Sequence, residues 1–299
     1  MSIVERALQK AQSQRPHAEG VRAQEAVEPA APTARQVEAA PVAGDQRGVA
    51  RGELIEIRIG QLRAEGRLAP ESLAHQTEEE FRRIKWPLLS SIVGREGAAA
   101  AANNVVLVTS AIPGEGKTFN ALNLALSMAR EPDIEVLLVD GDVAQPALTA
   151  SLGLSGRPGL TDLVAHADLD PAEVIHPTSI ERLFVVPAGS RRDNSPELLA
   201  SARMATVMAE LSSRISPGVV LFDSPPILAT NEAQVLSRYA GQILMVVLAD
   251  STEQRVVTEA LALLDRSKPV SAVLNRVEPS LVSRYYHHYY YGYGQDRKK

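Results

Sequence analysis

The sequence contains no cysteine. That absence excludes disulfide scaffolds and thiolate zinc sites, and it fits a reducing compartment. Aromatic residues are scarce at 4%, and most of the tyrosines lie where no core would use them. No stretch approaches the roughly 18 to 20 apolar residues that span a bilayer. The first 14 residues also lack the apolar centre of a secretory leader, so a soluble cytoplasmic protein is expected. Basic residues are not in excess: the net charge is −5, which argues against a general nucleic-acid binder. No internal repeat is visible. What remains is a chain of 299 residues, 45% hydrophobic, with room for one large α/β domain and appendages.

Composition divides the chain into five parts. In residues 1–14, Ile3, Val4, Ala7, Leu8 and Ala11 recur at helical spacing between Glu5, Arg6 and Lys10. This short amphipathic helix is either a loosely docked terminus or a docking peptide for a partner or membrane surface. Residues 15–51, rich in Ala, Pro, Glu, Gln and Arg, offer too little apolar surface to offset their ordering entropy and read as a disordered linker. A helical pattern returns in 52–104, with Leu54, Ile57 and Ile59, then Phe81, Ile84, Leu88 and Leu89. Residues 105–277 form the main domain, and 278–299 a separate flexible tail.

Within the main domain, β-branched runs at 105–109, 136–140, 183–187, 219–223, 243–248 and 270–275 alternate with helix-length segments at 117–130, 196–215, 231–239 and 252–267. The runs are apolar almost throughout, as strands covered on both faces require. Ser195 before Pro196 reads as a helix N-cap with proline in the first turn. The alternation predicts a three-layer α/β fold around a mostly parallel sheet.

Residues 111–118, Ala-Ile-Pro-Gly-Glu-Gly-Lys-Thr, follow the first strand and open a helix. This is a phosphate-binding P-loop with Ala111 in place of the first glycine. Gly114 and Gly116 let backbone N–H groups wrap phosphate oxygens without a Cβ in the way. Lys117 reaches the β and γ phosphates, Thr118 is placed to hold magnesium, and the helix N-terminus adds partial positive charge. Nucleotide contacts are expected from Ala111, Pro113, Gly114, Glu115, Gly116, Lys117, Thr118 and Phe119.

Two strands end in acids: Val136-Leu137-Leu138-Val139-Asp140-Gly141-Asp142 and Val219-Val220-Leu221-Phe222-Asp223-Ser224-Pro225-Pro226. Ligands of open α/β sheets bind beyond the carboxyl ends of strands, so these carboxylates are expected near the same phosphates. Asp223 has the place of an acid that anchors magnesium through water. Asp140 and Asp142 supply one carboxylate for magnesium and one for a hydroxyl proton, in an order the sequence leaves open. In the tail, Tyr285, Tyr286, Tyr289, Tyr290, Tyr291 and Tyr293 are six of the seven tyrosines. They are acceptors for phosphate or, on a plainer reading, a sticky aromatic tail that binds a partner. Six phosphotyrosines would add roughly −9 to −12 charges. His287 and His288 lack the neighbours a metal site needs.

Taken together, the P-loop with its leading alanine, the V-L-L-V-D-G-D segment, the V-V-L-F-D-S-P-P run and the tyrosine tail resemble the bacterial tyrosine kinases of capsule and exopolysaccharide systems. The resemblance spans about residue 79 to the C-terminus. It departs at Ala144, where the family usually has arginine. Glu79, Arg82 and Lys85 resemble the family's ring-forming E-x-x-R-x-x-R, with lysine last. The segments at 1–8 and 79–85 resemble, more narrowly, the autokinases of exosortase-associated polysaccharide clusters.

The resemblance implies an ATP- and Mg2+-dependent autokinase that assembles with copies of itself and answers to a membrane activator of the chain-length-determinant type, at the inner face of the plasma membrane. Thr118, Asp142 and Asp223 would organise magnesium. Asp140 would orient or deprotonate a tail tyrosine from a neighbouring subunit. Asn275 would touch adenine, by likeness to related ATPases. Two other functions share the P-loop. A positioning ATPase of the ParA or MinD kind would carry a lysine where Ile112 stands and would lack the tyrosines. A nucleotide-gated regulatory module of polysaccharide assembly would bind ATP with little turnover, in keeping with Ala144.

Overall fold

The computed structural model describes residues 48–92, 104–215 and 217–277. The strands are β1 (Val105–Ser110), β2 (Glu135–Asp140), β3 (His176–Pro177), β4 (Leu183–Val186), β5 (Gly218–Asp223), β6 (Gln242–Leu248) and β7 (Val270–Asn275). They form one seven-stranded sheet in the order β3-β4-β2-β5-β1-β6-β7. Every pair is parallel except β3 with β4 at one edge. The helices are α1 (Ile59–Ala64), α2 (Ala74–Ile92), α3 (Lys117–Met128), α4 (Ala147–Ser151), α5 (Leu160–Ala165), α6 (Pro171–Val174), α7 (Ser195–Leu199), α8 (Ala202–Arg214), α9 (Asn231–Ser237) and α10 (Gln254–Ala262).

Alternate residues of each central strand enter opposite cores, which is why the runs read as continuously apolar. Val105, Leu107, Leu137, Val139, Val220 and Phe222 pack with α5 to α10 on one face. Val106, Val108, Val136, Leu138, Val219 and Leu221 pack with α1 to α4 on the other. Each such side chain is almost wholly buried and contributes about 1.5–3 kcal/mol. The fold is the three-layer, mostly parallel α/β architecture that the alternation predicts.

Strand order positions the site. The crossover from β1 through α3 to β2 leaves a place that β5 fills, so three strand ends lie side by side. Their register puts Asp140 opposite Asp223, and Asp223 opposite Val108. No helix among the described residues is long and apolar enough to cross a membrane.

Several local expectations are corrected. Residues 52–58 are extended, not helical: Ile55 bridges Thr178, its N–H donating to the Pro177 carbonyl at 2.8 Å. Ile55 and Ile57 are buried while Leu54 is exposed, a period of two rather than 3.6. The linker expected over 15–51 runs too far, because Val49 is buried and the Arg51 N–H donates to the Ala172 carbonyl. The helix expected over 196–215 is two, with Ser201 in extended conformation starting the second. Ser195 lies inside α7, and its hydroxyl donates to the Arg192 carbonyl instead of capping the helix. The helix expected over 252–267 ends at Ala262, where turns through Asp265 lead to Pro269. The short β3 and helices α4 to α6 carry too little periodicity to be read from sequence. Residues 1–47 and 278–299, with the amphipathic segment and all six tail tyrosines, lie outside the described residues.

Candidate active site

The P-loop joins β1 to α3. Gly114 and Gly116 adopt φ of 89° and 95°, a region that favours glycine. At Gly116 the need is doubled, since a Cβ there would come within 2.1 Å of the Asn275 side-chain nitrogen. Pro113, Gly114, Gly116, Lys117, Thr118 and Phe119 line a cavity of about 300 Å3, with Asp142, Ala144 and Pro226 on other walls. A second cavity of about 630 Å3 adjoins it beside Asn275 and α2. Gly66, Gly116, Phe119 and Arg276 line both.

Two residues of the motif do something other than face this space. Ala111 is fully buried, its carbonyl accepting from the Leu228 N–H. The Glu115 carboxylate, also buried, turns back into the protein. It accepts from Ile112 N–H (2.8 Å), Leu248 N–H (3.3 Å) and the Thr252 hydroxyl (2.6 Å), tying the loop to the end of β6. Asn275, expected against adenine, lines the larger cavity and donates to the Glu115 carbonyl at 2.8 Å. Nothing in the motif announces the tie from Glu115 to the end of β6, because those two of its three partners are 133 and 137 residues away.

The three aspartates meet as expected, but their environments differ. Gly141 lets β2 continue past Asp140, since a Cβ there would strike the Phe222 ring at 2.3 Å. Asp140 is fully buried and already satisfied. One oxygen accepts from the Thr149 N–H (2.8 Å) and hydroxyl (2.7 Å), the other from the Asp142 N–H (3.2 Å). Burial nevertheless outweighs these bonds and pushes its pKa up to about 6. Asp142 pairs with Lys117 at 2.8 Å and accepts from the Gln145 N–H at 3.1 Å. Of the three, only Asp142 lines the smaller cavity.

Neither oxygen of Asp223 has a hydrogen-bond partner among the described residues, although both are buried. Burial is the largest cause of its raised pKa, about 7. Lys117 draws the value back, Asp140 pushes it up, and the nearby Thr118 hydroxyl relieves it without reaching hydrogen-bond geometry. For Lys117, burial alone would depress the ammonium, but Asp223, Asp142 and Asp140 outweigh it and the pKa is raised. A fixed cation beside an unpartnered carboxylate suits a polyphosphate with its metal. No group of three or more His, Cys, Asp or Glu gathers as a metal cage among the described residues. Mg2+ does not need one, because it keeps waters and takes one or two carboxylates plus phosphate oxygens.

The residues expected to form rings divide. Glu79 and Arg82 pair at 2.8 Å on an exposed face of α2. Lys85 is corrected: it is buried, and its ammonium donates to the Ser127 carbonyl (2.8 Å) and pairs with Glu131 (2.7 Å) inside its own chain. It is not available to a neighbour.

No family model matches the chain. The tyrosine-protein kinase YwqD of Bacillus subtilis is 31% identical over 219 residues, 72% of this chain and 86% of YwqD. The tyrosine-protein kinase Wzc of Salmonella typhimurium is 33% identical over 201 residues, 66% of this chain and 27% of the longer Wzc. Among solved structures, the kinase domain of VpsO is 30% identical, with a TM-score of 0.58 over 70% of this chain and 98% of that domain. With a P-loop, three aspartates at two strand ends and this degree of likeness, the chain belongs to the bacterial tyrosine-protein kinases.

Proposed function

We propose that this kinase transfers the γ-phosphoryl group of ATP to tyrosines of its own C-terminal tail. The observation that carries the reading is the adjoining pair of cavities at the strand ends, one walled by the P-loop and Asp142, the other by Asn275 and α2. Their sizes suit the phosphates and the nucleoside of one nucleotide. Val277, the last described residue before the tail, lines the larger cavity.

Gly114, Gly116, Lys117 and Thr118 hold the phosphates, while Glu115 braces the loop from behind. Thr118 and Asp223 would hold Mg2+, which when bound neutralises charge on the β and γ phosphates, and this leaves Asp142 for the proton. A tail tyrosine from a neighbouring subunit attacks the γ-phosphorus in line. The new bond is tyrosyl O–P, the bond broken is from γ-phosphorus to the bridging oxygen, and ADP leaves. Asp142, the carboxylate in the cavity wall, takes the hydroxyl proton. Asp140, with both oxygens engaged, serves as a positioning residue in place of the base expected from sequence. Placement and charge stabilisation by Lys117 outweigh base strength in such a transfer.

By the resemblance of segments 1–8 and 79–85, the kinase regulates exopolysaccharide or capsule synthesis and export. It would work with a membrane activator that brings it to the inner face of the plasma membrane. The test is to follow labelled γ-phosphate after incubation with Mg–ATP. Label retained on tail tyrosines supports the autokinase, and label released wholly as inorganic phosphate overturns it.

A further inference from the structure

We propose that Arg67, delivered by the segment ahead of the P-loop domain, is a phosphate-binding residue that contacts the inner phosphates of the nucleotide. The inference rests on the nucleotide reading above. It begins in the turn that ends α1. Gly66 takes the left-handed conformation at φ 69°, and the N–H groups of Arg67 and Leu68 both donate to the Leu62 carbonyl, at 2.8 and 3.2 Å. Leu62 and Leu68 are buried on either side, so the turn has little freedom to move. Asn123, on the helix that Lys117 opens, donates its side-chain N–H to the Arg67 carbonyl at 3.2 Å and to the Phe119 carbonyl at 2.7 Å. The backbone of Arg67 is thereby hooked to the phosphate-binding helix itself.

Arg67 lines the smaller cavity together with Gly114, Lys117, Thr118 and Asp142. Its Nε is buried and unpartnered, and the guanidinium has no carboxylate partner among the described residues. Arg192 and Arg203 also bury an unpartnered Nε, but each pairs its terminal nitrogens with an acid, Asp162 and Glu210. Arg67 alone of these three has no acid. The Nε is closed off from the cavity, so a ligand acceptor there would meet the terminal guanidinium nitrogens. Asp142 is already taken by Lys117. A phosphate oxygen is the acceptor that this cavity is otherwise built to receive, and a guanidinium fits it with two parallel N–H donors. Gly66, the preceding residue, lines both cavities, so Arg67 joins the smaller one on the side next to the larger. There it meets the phosphates nearest the nucleoside, which ADP retains.

The test compares equilibrium affinities of Mg–ATP and Mg–ADP for the full chain and for Arg67→Ala, Arg67→Lys and, as a control, the exposed Arg58→Ala. Loss of a hydrogen-bonded charged contact predicts weakening on the order of tenfold to a hundredfold for both nucleotides in Arg67→Ala. Arg67→Lys should recover part of it, Arg58→Ala should match wild type, and the unliganded melting temperature of Arg67→Ala should not fall. Loss confined to Mg–ATP overturns the placement at the inner phosphates. Affinities within twofold of wild type, or a loss explained by a lower melting temperature, overturn the phosphate contact. If wild type binds neither nucleotide, the nucleotide reading itself falls and this inference with it.

Discussion

Replacing Asp223 by asparagine isolates the least satisfied charge in the site. Both oxygens of Asp223 are buried without a hydrogen-bond partner among the described residues, and burial, partly offset by Lys117, raises the pKa to about 7. In the unfolded chain the carboxyl ionises near 3.8. Because the folded value is the higher one, the folded state keeps a proton that the unfolded state has released. The contribution of Asp223 to stability is therefore complete below about pH 4 and is lost as pH rises through 7. A rise from 3.8 to about 7 corresponds to a loss on the order of 4 kcal/mol. Asparagine does not titrate, so Asp223→Asn should gain on wild type by up to about that amount between pH 4 and 8. Any fixed cost of burying the amide moves the whole curve without changing this slope. Urea unfolding followed by circular dichroism, in EDTA at half-unit pH steps, reads the difference directly. Mg–ADP at pH 8 should then stabilise wild type more than the variant. A stability difference that stays flat from pH 4 to 8 would refute the unpartnered carboxylate.

Three further outcomes follow from the packing. Glu115→Ala takes the carboxylate acceptor from the partly buried Ile112 and Leu248 N–H groups. It should cost about 2–5 kcal/mol in urea unfolding and weaken Mg–ATP binding, even though Glu115 faces away from the nucleotide. Lys85→Ala breaks a largely buried pair with Glu131 and should destabilise the subunit by about 1–3 kcal/mol. Light scattering should show its oligomeric state unchanged; dissociation without loss of subunit stability would return Lys85 to the interface. If tail tyrosines are phosphorylated by a neighbouring subunit, the initial rate per molecule should rise with protein concentration, whereas a constant rate would mean transfer within one chain.

The central strands were legible because both faces of each are covered, leaving unbroken runs such as Val136 to Val139. The P-loop was legible for the same reason that it works: glycines and a lysine at a strand–helix junction have few other uses. The convergence of Asp140 and Asp223 followed from their places at strand ends, and the sheet order made them direct neighbours. What escaped depended on partners distant in sequence. Residues 52–58 pair with 175–179, so their alternation was masked by apolar neighbours that mimic a helical face. Lys85 looked like a surface residue at i+6 from Glu79 until α3 and Glu131 closed over it. Thr149 and Asn123, which fix Asp140 and Arg67, carry no motif.

The most direct test of the account is the intact mass of the full chain after incubation with Mg–ATP, beside Lys117→Met and a chain cut before Tyr285. Stepwise additions of one phosphate each, lost in Lys117→Met and absent from the shortened chain, are the predicted result. Equal phosphate on the shortened chain, or undiminished labelling of Lys117→Met, would contradict it.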